Sequence, residues 1–286
     1  MALYEVIYIP CYMLARSTVM TMFGKNVRLE RIMDRKSGNC VMVPLDHGVS
    51  IGPTEGLLDV KHTVDSVANG GATAVLMHKG LVRHGYRAGG HDIGLILHLS
   101  ASTDMGNTND SKVLVAEVTE ALKLGADGVS MHINLGADAE PEMLRDLGRL
   151  SRECGEWGVP LLVMAYARGP GIKNPFDPKL VAHSVRAAAE LGADLVKCNY
   201  TGDPDSFRDV VKGSLVPVII AGGPKISSDL ELLTMVRDSM DAGGQGVSIG
   251  RNIFQHKDVE GITRAVTDIV LRDAEVDEAI RNLRNR

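Results

Sequence analysis

Residues 191–199 read LGADLVKCN: a glycine that closes a helix, then a short apolar run with a lysine set inside it. The same joint recurs as NGGATAV from Asn69, LGADGV from Leu124 and AGGQGV from Ala242. In each, the glycine supplies the left-handed residue that ends a helix, and the apolar residues that follow enter a strand buried on both faces. Repetition of that joint along one chain predicts alternating β and α elements.

Outward from this stretch, eight β-rich apolar runs follow one another: VMVPLD (41–46), ATAVLMH (72–78), IGLILHLS (93–100), GVSMHINL (128–135), VPLLVMAY (159–166), ADLVKCN (193–199), PVIIAGG (217–223) and GVSIGRN (246–252). Stretches with apolar residues at three- and four-residue spacing separate most of them, among them SKVLVAEVTEALKLG, EPEMLRDLGRLSRECGEWG, PKLVAHSVRAAAELG and SSDLELLTMVRDSMDAGG. GLVRHGYRAGGHD, between the second and third runs, reads as a loop without a regular helix. The pattern predicts an α/β TIM barrel as a single domain over residues 24–286. Residues 1–23 read as an N-terminal extension, a candidate for disorder. A doubly wound open sheet is the alternative, but its phosphate loop belongs after the first strand, and no G-x-G-x-x-G follows residues 41–46.

The chain has 286 residues, 44% of them hydrophobic, with 31 basic against 36 acidic residues and a net charge of −5. Disorder, collagen and a coiled coil are excluded on composition. Without any basic run, neither nucleic acid nor an anionic membrane is an expected partner. Cys11, Cys40, Cys154 and Cys198 show no CxxC spacing, so neither a zinc ribbon nor a disulfide framework is expected, and a reducing cytoplasm fits. The apolar N-terminus contains Glu5 and Pro10, and the stretch before Arg16 is too short to span a bilayer, so no signal peptide or anchor is read.

In a TIM barrel the chemistry sits at the C-terminal ends of the strands. Those ends carry Asp46 and His47, His78 and Lys79, His98 and Ser100, His132 and Asn134, Tyr166 and Arg168, Lys197 and Asn199, then GGPK and GRN. Lys197 is the most informative. Strand alternation puts Leu195, Lys197 and Asn199 on one face, and a buried amine either costs several kcal/mol or loses its proton. A neutral lysine is a nucleophile toward ketones and aldehydes, forming a Schiff base. The plainer reading is a strand-end lysine in an ion pair. Lys79, beside Arg83 and Arg87, reads as solvated charge.

Schiff-base carbonyl chemistry also needs a proton shuttle, and Tyr166 and Asp46 fit by type and position. Taken alone, such a Tyr is usually core or rim and such an Asp a cap. Gly222-Gly223-Pro224-Lys225 and Gly250-Arg251 close the seventh and eighth runs, where this fold usually binds phosphate; their plainer role is tight packing at loop corners. A competing constellation is His47, His78, His98 and His132 as ligands of a catalytic zinc, though helical H-x-x-x-H spacing is absent.

With these residues in place, the chain resembles the archaeal-type class I aldolase family over about Gly24 to Leu283. The resemblance is carried by VPLDHGVSIGP, VLMHKGLVRHG, IGLILHLS, MAYARG, DLVKCNYTGD, FRDVVKG, VIIAGGPK and SIGRNIFQH. It implies Schiff-base intermediates on Lys197, Tyr166 as proton donor and Asp46 as proton acceptor. It further implies substrate and phosphate contacts from Asp46, His47, Gly48, Val49, Ser50, Tyr166, Ala167, Arg168, Lys197, Gly222, Gly223, Gly250 and Arg251. No cofactor and no metal are implied.

The implied reaction is a transaldolase step from 6-deoxy-5-ketofructose 1-phosphate to L-aspartate semialdehyde, on a route to 3-dehydroquinate and aromatic amino acids. Class I fructose-bisphosphate aldolase is the alternative, and a sugar-phosphate-binding barrel without chemistry a lesser one. Met164-Ala165 stands where the aldolase branch often has Trp, which implies a smaller apolar wall. Ala167 departs from the family's usual Pro and leaves the Tyr166 backbone less constrained. A ring-built homo-oligomer, such as a decamer, is also implied.

Overall fold

The computed structural model describes residues 20–85, 92–106 and 109–285. The strands are β1 (Cys40–Pro44), β2 (Ala74–Met77), β3 (Gly94–His98), β4 (Ser100–Ala101), β5 (Val113–Leu114), β6 (Gly128–Leu135), β7 (Leu161–Ala167), β8 (Leu195–Cys198), β9 (Val218–Ala221) and β10 (Gly246–Ser248). The helices are α1 (Met20–Ile32), α2 (His47–Ile51), α3 (Val60–Asn69), α4 (Lys79–Gly85), α5 (Val118–Lys123), α6 (Glu140–Trp157), α7 (Pro178–Glu190), α8 (Pro204–Gly213), α9 (Asp229–Asp241), α10 (Arg251–Phe254), α11 (Val259–Arg272) and α12 (Val276–Arg284).

Each of the eight apolar runs supplies one barrel strand. They pair in parallel in the closed order β1-β10-β9-β8-β7-β6-β3-β2, which is the expected TIM barrel. Alternation sorts the side chains into two cores. Met42, Leu76, Ile96, Leu162, Leu195 and Ile219 fill the barrel interior, while Val41, Val75, Leu97, Val163, Val196 and Ile220 face the surrounding helices. Burying each such side chain contributes about 1.5–3 kcal/mol.

The repeated joint has a physical basis at the N-terminal end of the barrel. Gly71, Gly125, Gly192 and Gly243 all hold left-handed φ values between 81° and 99°. Two residues further on, Asp127 accepts the Leu95 N–H at 3.0 Å and Asp194 accepts the Leu161 N–H at 2.8 Å. Thr73, in the same place, accepts from Val41 N at 3.1 Å. Each side chain satisfies an amide near the start of the neighbouring strand, which a buried backbone requires. The two aspartates are also held by α1, through Arg31 to Asp127 and Lys25 to Asp194 at 2.9 Å. Ile32, 1% exposed, closes the floor.

Three local expectations change. α1 opens at Met20 and so crosses the expected boundary at residue 23, residues 1–19 lying outside the described residues. A short helix, α4, occupies the connection read as a loop, with 86–91 outside the described residues. The stretch SKVLVAEVTEALKLG is not one helix: its first half forms β5, antiparallel to β4 with Ser100 opposite Leu114 and Ala101 opposite Val113. Only Val118–Lys123 is helical. β-Branched Val113 and Val115 favour the extended form, and the β4 backbone offers them a partner.

Candidate active site

The barrel ladder fixes the reactive groups. β7 and β8 pair with Met164 opposite Lys197, so Lys197 projects into the barrel with Met164 and, one inward position nearer the mouth, Tyr166. Lys197 is 7% exposed and Tyr166 6%. Burial lowers the Lys197 ammonium to about 8; Asp46 pulls the other way and Arg168 adds to the lowering. The amine is therefore partly neutral near physiological pH, the state needed for attack on a carbonyl. An ion pair to Lys197 is absent among the described residues, which disfavours the structural reading of this lysine.

Asp46 sits across the mouth, after β1. Although it precedes α2, its carboxylate makes no capping hydrogen bond. Instead Oδ2 lies 3.8 Å from His98 Nε2 and Oδ1 lies 3.4 Å from His47 Nδ1. Burial pushes this carboxyl up, but His98, His47, Lys197 and His78 outweigh it and hold the group at about 2. His98, held down at about 3 by burial, is neutral and turned by Ser130 Oγ, 2.8 Å from its Nδ1. Burial raises the Tyr166 phenol well above its ordinary range, so it stays a proton carrier. Its ring lies against His132, centroids 4.9 Å apart, and under the Arg168 guanidinium at 4.6 Å.

The four histidines do not gather as ligands. His132 Nε2 meets Asn134 Oδ1 at 2.8 Å, His78 lies tilted against His98 with ring centroids 5.1 Å apart, and His47 packs edge-on against Phe254. Among the described residues no group of three His, Cys, Asp or Glu side chains is placed to hold a metal ion.

The ends of β9 and β10 build a glycine-lined cradle. Gly223 holds φ at 62° with open space where a Cβ would be, and a cavity of about 390 Å³ lined by Asn199, Gly222, Gly223, Pro224 and Lys225 opens beside it. A Cβ on Gly250 would lie 2.5 Å from the His47 ring, so only glycine lets α10 approach α2. Arg251 Nη2 donates to Gly223 O at 3.2 Å. Its buried Nε has no partner among the described residues, a donor that suits an anion.

Asn252, which the sequence pattern did not single out, holds the cradle. Its Nδ2 donates to Gly222 O at 2.9 Å and Pro224 O at 3.1 Å, and its Oδ1 accepts from Ile226 N at 2.7 Å. On α2, Val49 is 40% exposed, Gly48 has nothing within 4 Å of a Cβ position, and Ser50 Oγ bonds to Ser102 O at 3.3 Å. Ala167 faces away from the mouth, into a cavity with Ile172 and Leu180; only its backbone is near Tyr166. Lys79 pairs with Glu120 on the outside, as solvated charge.

The profile of the DeoC/LacD family aldolases matches residues 40–256. The chain is 41% identical over 261 residues, 91% of its length and 97% of the relative's, to 2-amino-3,7-dideoxy-D-threo-hept-6-ulosonate synthase of Halobacterium salinarum. It is 38% identical over 248 residues, 87% and 90% of the two chains, to 2-amino-4,5-dihydroxy-6-oxo-7-(phosphonooxy)heptanoate synthase of Streptomyces griseus. Among solved structures, a Schiff-base-forming fructose-1,6-bisphosphate aldolase superposes with a TM-score of 0.81 at 31% identity, covering 86% of this chain and 99% of that one. A closed parallel barrel, a buried amine on its sixth strand and these matches together place the chain in the DeoC/LacD aldolase family.

Proposed function

We propose that this chain is a lysine Schiff-base transaldolase that carries a three-carbon ketone unit from 6-deoxy-5-ketofructose 1-phosphate to L-aspartate semialdehyde, giving 2-amino-3,7-dideoxy-D-threo-hept-6-ulosonate. The observation that carries the reading is Lys197, buried and lowered to about 8, with Tyr166 on the adjoining strand and the Asp46 carboxylate across the mouth. The name of the Halobacterium relative supports the product.

In this reading the Lys197 amine adds to the ketone and water departs, leaving an iminium. Asp46 takes the proton of the hydroxyl beside the scissile bond. The C–C bond breaks, its electron pair moves into the iminium to make an enamine, and hydroxypyruvaldehyde phosphate leaves. The enamine carbon then attacks the acceptor aldehyde, and Tyr166 protonates the new alkoxide. The proton on Asp46 passes to the phenolate, and water hydrolyses the iminium to release product and free Lys197.

A second reading is favoured by the cradle and the unpartnered Arg251 Nε: the retained unit keeps a phosphate, as in the Streptomyces relative's 7-(phosphonooxy) product and in fructose 1,6-bisphosphate. Purified protein with L-aspartate semialdehyde and either the deoxyketose phosphate or glycerone phosphate, and separately with fructose 1,6-bisphosphate alone, tests both. Product from the deoxyketose arm alone supports the first reading; product only from the other arms overturns it.

A homo-oligomer is part of the proposal. Arg28 of α1 donates to Gly158 O at the end of α6, bringing exposed Phe23, Val27 and Trp157 to neighbouring elements, apolar surface of the kind oligomers cover. The free thiols Cys40, Cys154 and Cys198 support a cytoplasmic location.

A further inference from the structure

The mouth carries cations on two opposite rims. Arg251 follows β10, the eighth barrel strand, beside the glycine cradle. The other rim has Arg168, just past the end of β7, and Lys112, brought in by the β4–β5 hairpin that departs after β3. In the barrel order β3, β6 and β7 are neighbours, so the hairpin and Arg168 flank the His132 strand from its two sides.

Lys112 is positioned rather than loose. Its ammonium donates to Ser102 Oγ, whose hydroxyl donates to Asn109 O at 2.7 Å. Asn134 on β6 donates to Asp110 O at 2.7 Å, tying the hairpin to the barrel. Lys112 and Arg168 both act electrostatically on the buried His132 ring, below the effect of its burial, and Arg168 lies over Tyr166. Neither cation has a carboxylate within ion-pair distance among the described residues. Arg168 repels Lys112, and Asp104, Asp110 and Asp46 offset this only from beyond ion-pair distance, so an anion supplied by a ligand beside the two cations is favourable.

Chemistry says which ligand. Cutting either relative's named product beside the ketone, between C4 and C5, leaves the same four-carbon half, an amino acid ending in an aldehyde, while the other half varies between methyl and phosphate ends. The donor half is anchored on Lys197, so the invariant acidic end of the acceptor must lie farther along the mouth. We infer that Lys112, together with Arg168, seats the carboxylate of the acceptor aldehyde, a short amino-acid semialdehyde. The inference rests on the Schiff-base reading above. Asp104 and Asp110 lie within electrostatic reach of Lys112, so this rim presents both signs, as a zwitterionic end requires. A departing phosphorylated aldehyde occupies the same side of the scissile bond and meets the same two cations.

The test separates the two half-reactions. Hydroxyacetone, the retained unit in free form, and borohydride report iminium formation alone. L-Aspartate semialdehyde and propanal then serve as anionic and neutral acceptors. Lys112→Gln should trap hydroxyacetone as wild type does, raise KM for L-aspartate semialdehyde about 10- to 100-fold, and leave propanal transfer unaltered; Lys112→Arg should restore the KM. An unchanged KM for the semialdehyde, equal losses with propanal, or failure of Lys112→Arg to bind better than Lys112→Gln overturns the inference. Absence of trapping in the wild type overturns the Schiff-base reading itself, and this inference with it.

Discussion

Met164 and Lys197 are register partners across the β7–β8 ladder, both buried on the inner face of the barrel. The thioether thus lies beside the Lys197 amine, where a ketone joined to that amine would meet it. Met164→Trp places a bulky indole in that space. Overpacking should lower stability by about 1–3 kcal/mol, and KM for the deoxyketose phosphate should rise about tenfold or more, since pocket shape discriminates on that scale. Thermal unfolding and steady-state kinetics on the variant check both; an unchanged KM removes Met164 from the donor wall.

The pH dependence of iminium formation follows from the same amine. Only the neutral form attacks, so borohydride trapping should climb with pH through a midpoint near 8, with roughly one-tenth of the lysine reactive at pH 7. Asp46 raises the Lys197 value and Arg168 lowers it. Asp46→Asn should therefore move the midpoint down and Arg168→Met should move it up. Trapping rates across pH 6 to 10 on the three proteins give the comparison, and shifts in the same direction would contradict this electrostatic account.

Much of this site was legible because the strand ends are short and alternate strictly. Lys197 and Leu195 shared a face on paper and share the interior in the fold, and the recurring glycine joint fixed where each strand begins. Lys112 was not legible. It sits in a stretch whose apolar spacing suits a helix, and only the unpaired backbone of β4 recruits that stretch as a strand; such pairing is set by tertiary proximity, not local pattern. Asn252 was hidden for a similar reason, since its three partners lie 26 to 30 residues away in sequence.

Arg251 and Asn252 should separate by what they do to binding. Arg251→Ala removes a guanidinium beside the cradle, so for a substrate whose retained half carries a phosphate, such as fructose 1,6-bisphosphate, KM should rise with kcat little changed, whereas a phosphate on the leaving half should be bound as before. Asn252→Ala removes the clamp behind the cradle, leaving the Ile226 amide and the Gly222 and Pro224 carbonyls without their partner. It should cost about 1–3 kcal/mol in unfolding free energy and raise the same KM indirectly. A denaturant titration beside the kinetics distinguishes them: Arg251→Ala should leave the unfolding midpoint in place. A large kcat loss with normal KM would instead make Arg251 a transition-state group.

Tyr166 offers the sharpest division between chemistry and structure. Its ring is packed by His132 and Arg168 and its phenol is held protonated by burial, so Tyr166→Phe keeps the ring and the packing and removes only the hydroxyl. Iminium formation depends on the neutral Lys197 amine, so the variant should fold and trap hydroxyacetone. Carbon–carbon bond formation needs the proton, and acid–base groups typically contribute about 10² to 10⁴-fold. Turnover should fall within that range while trapping survives, which rapid quench with and without borohydride will measure. Near-normal turnover in the Phe variant would move the proton transfer to Asp46, which lies within electrostatic reach of Lys197 together with His47 and His98, and Asp46→Asn alone would then remove turnover.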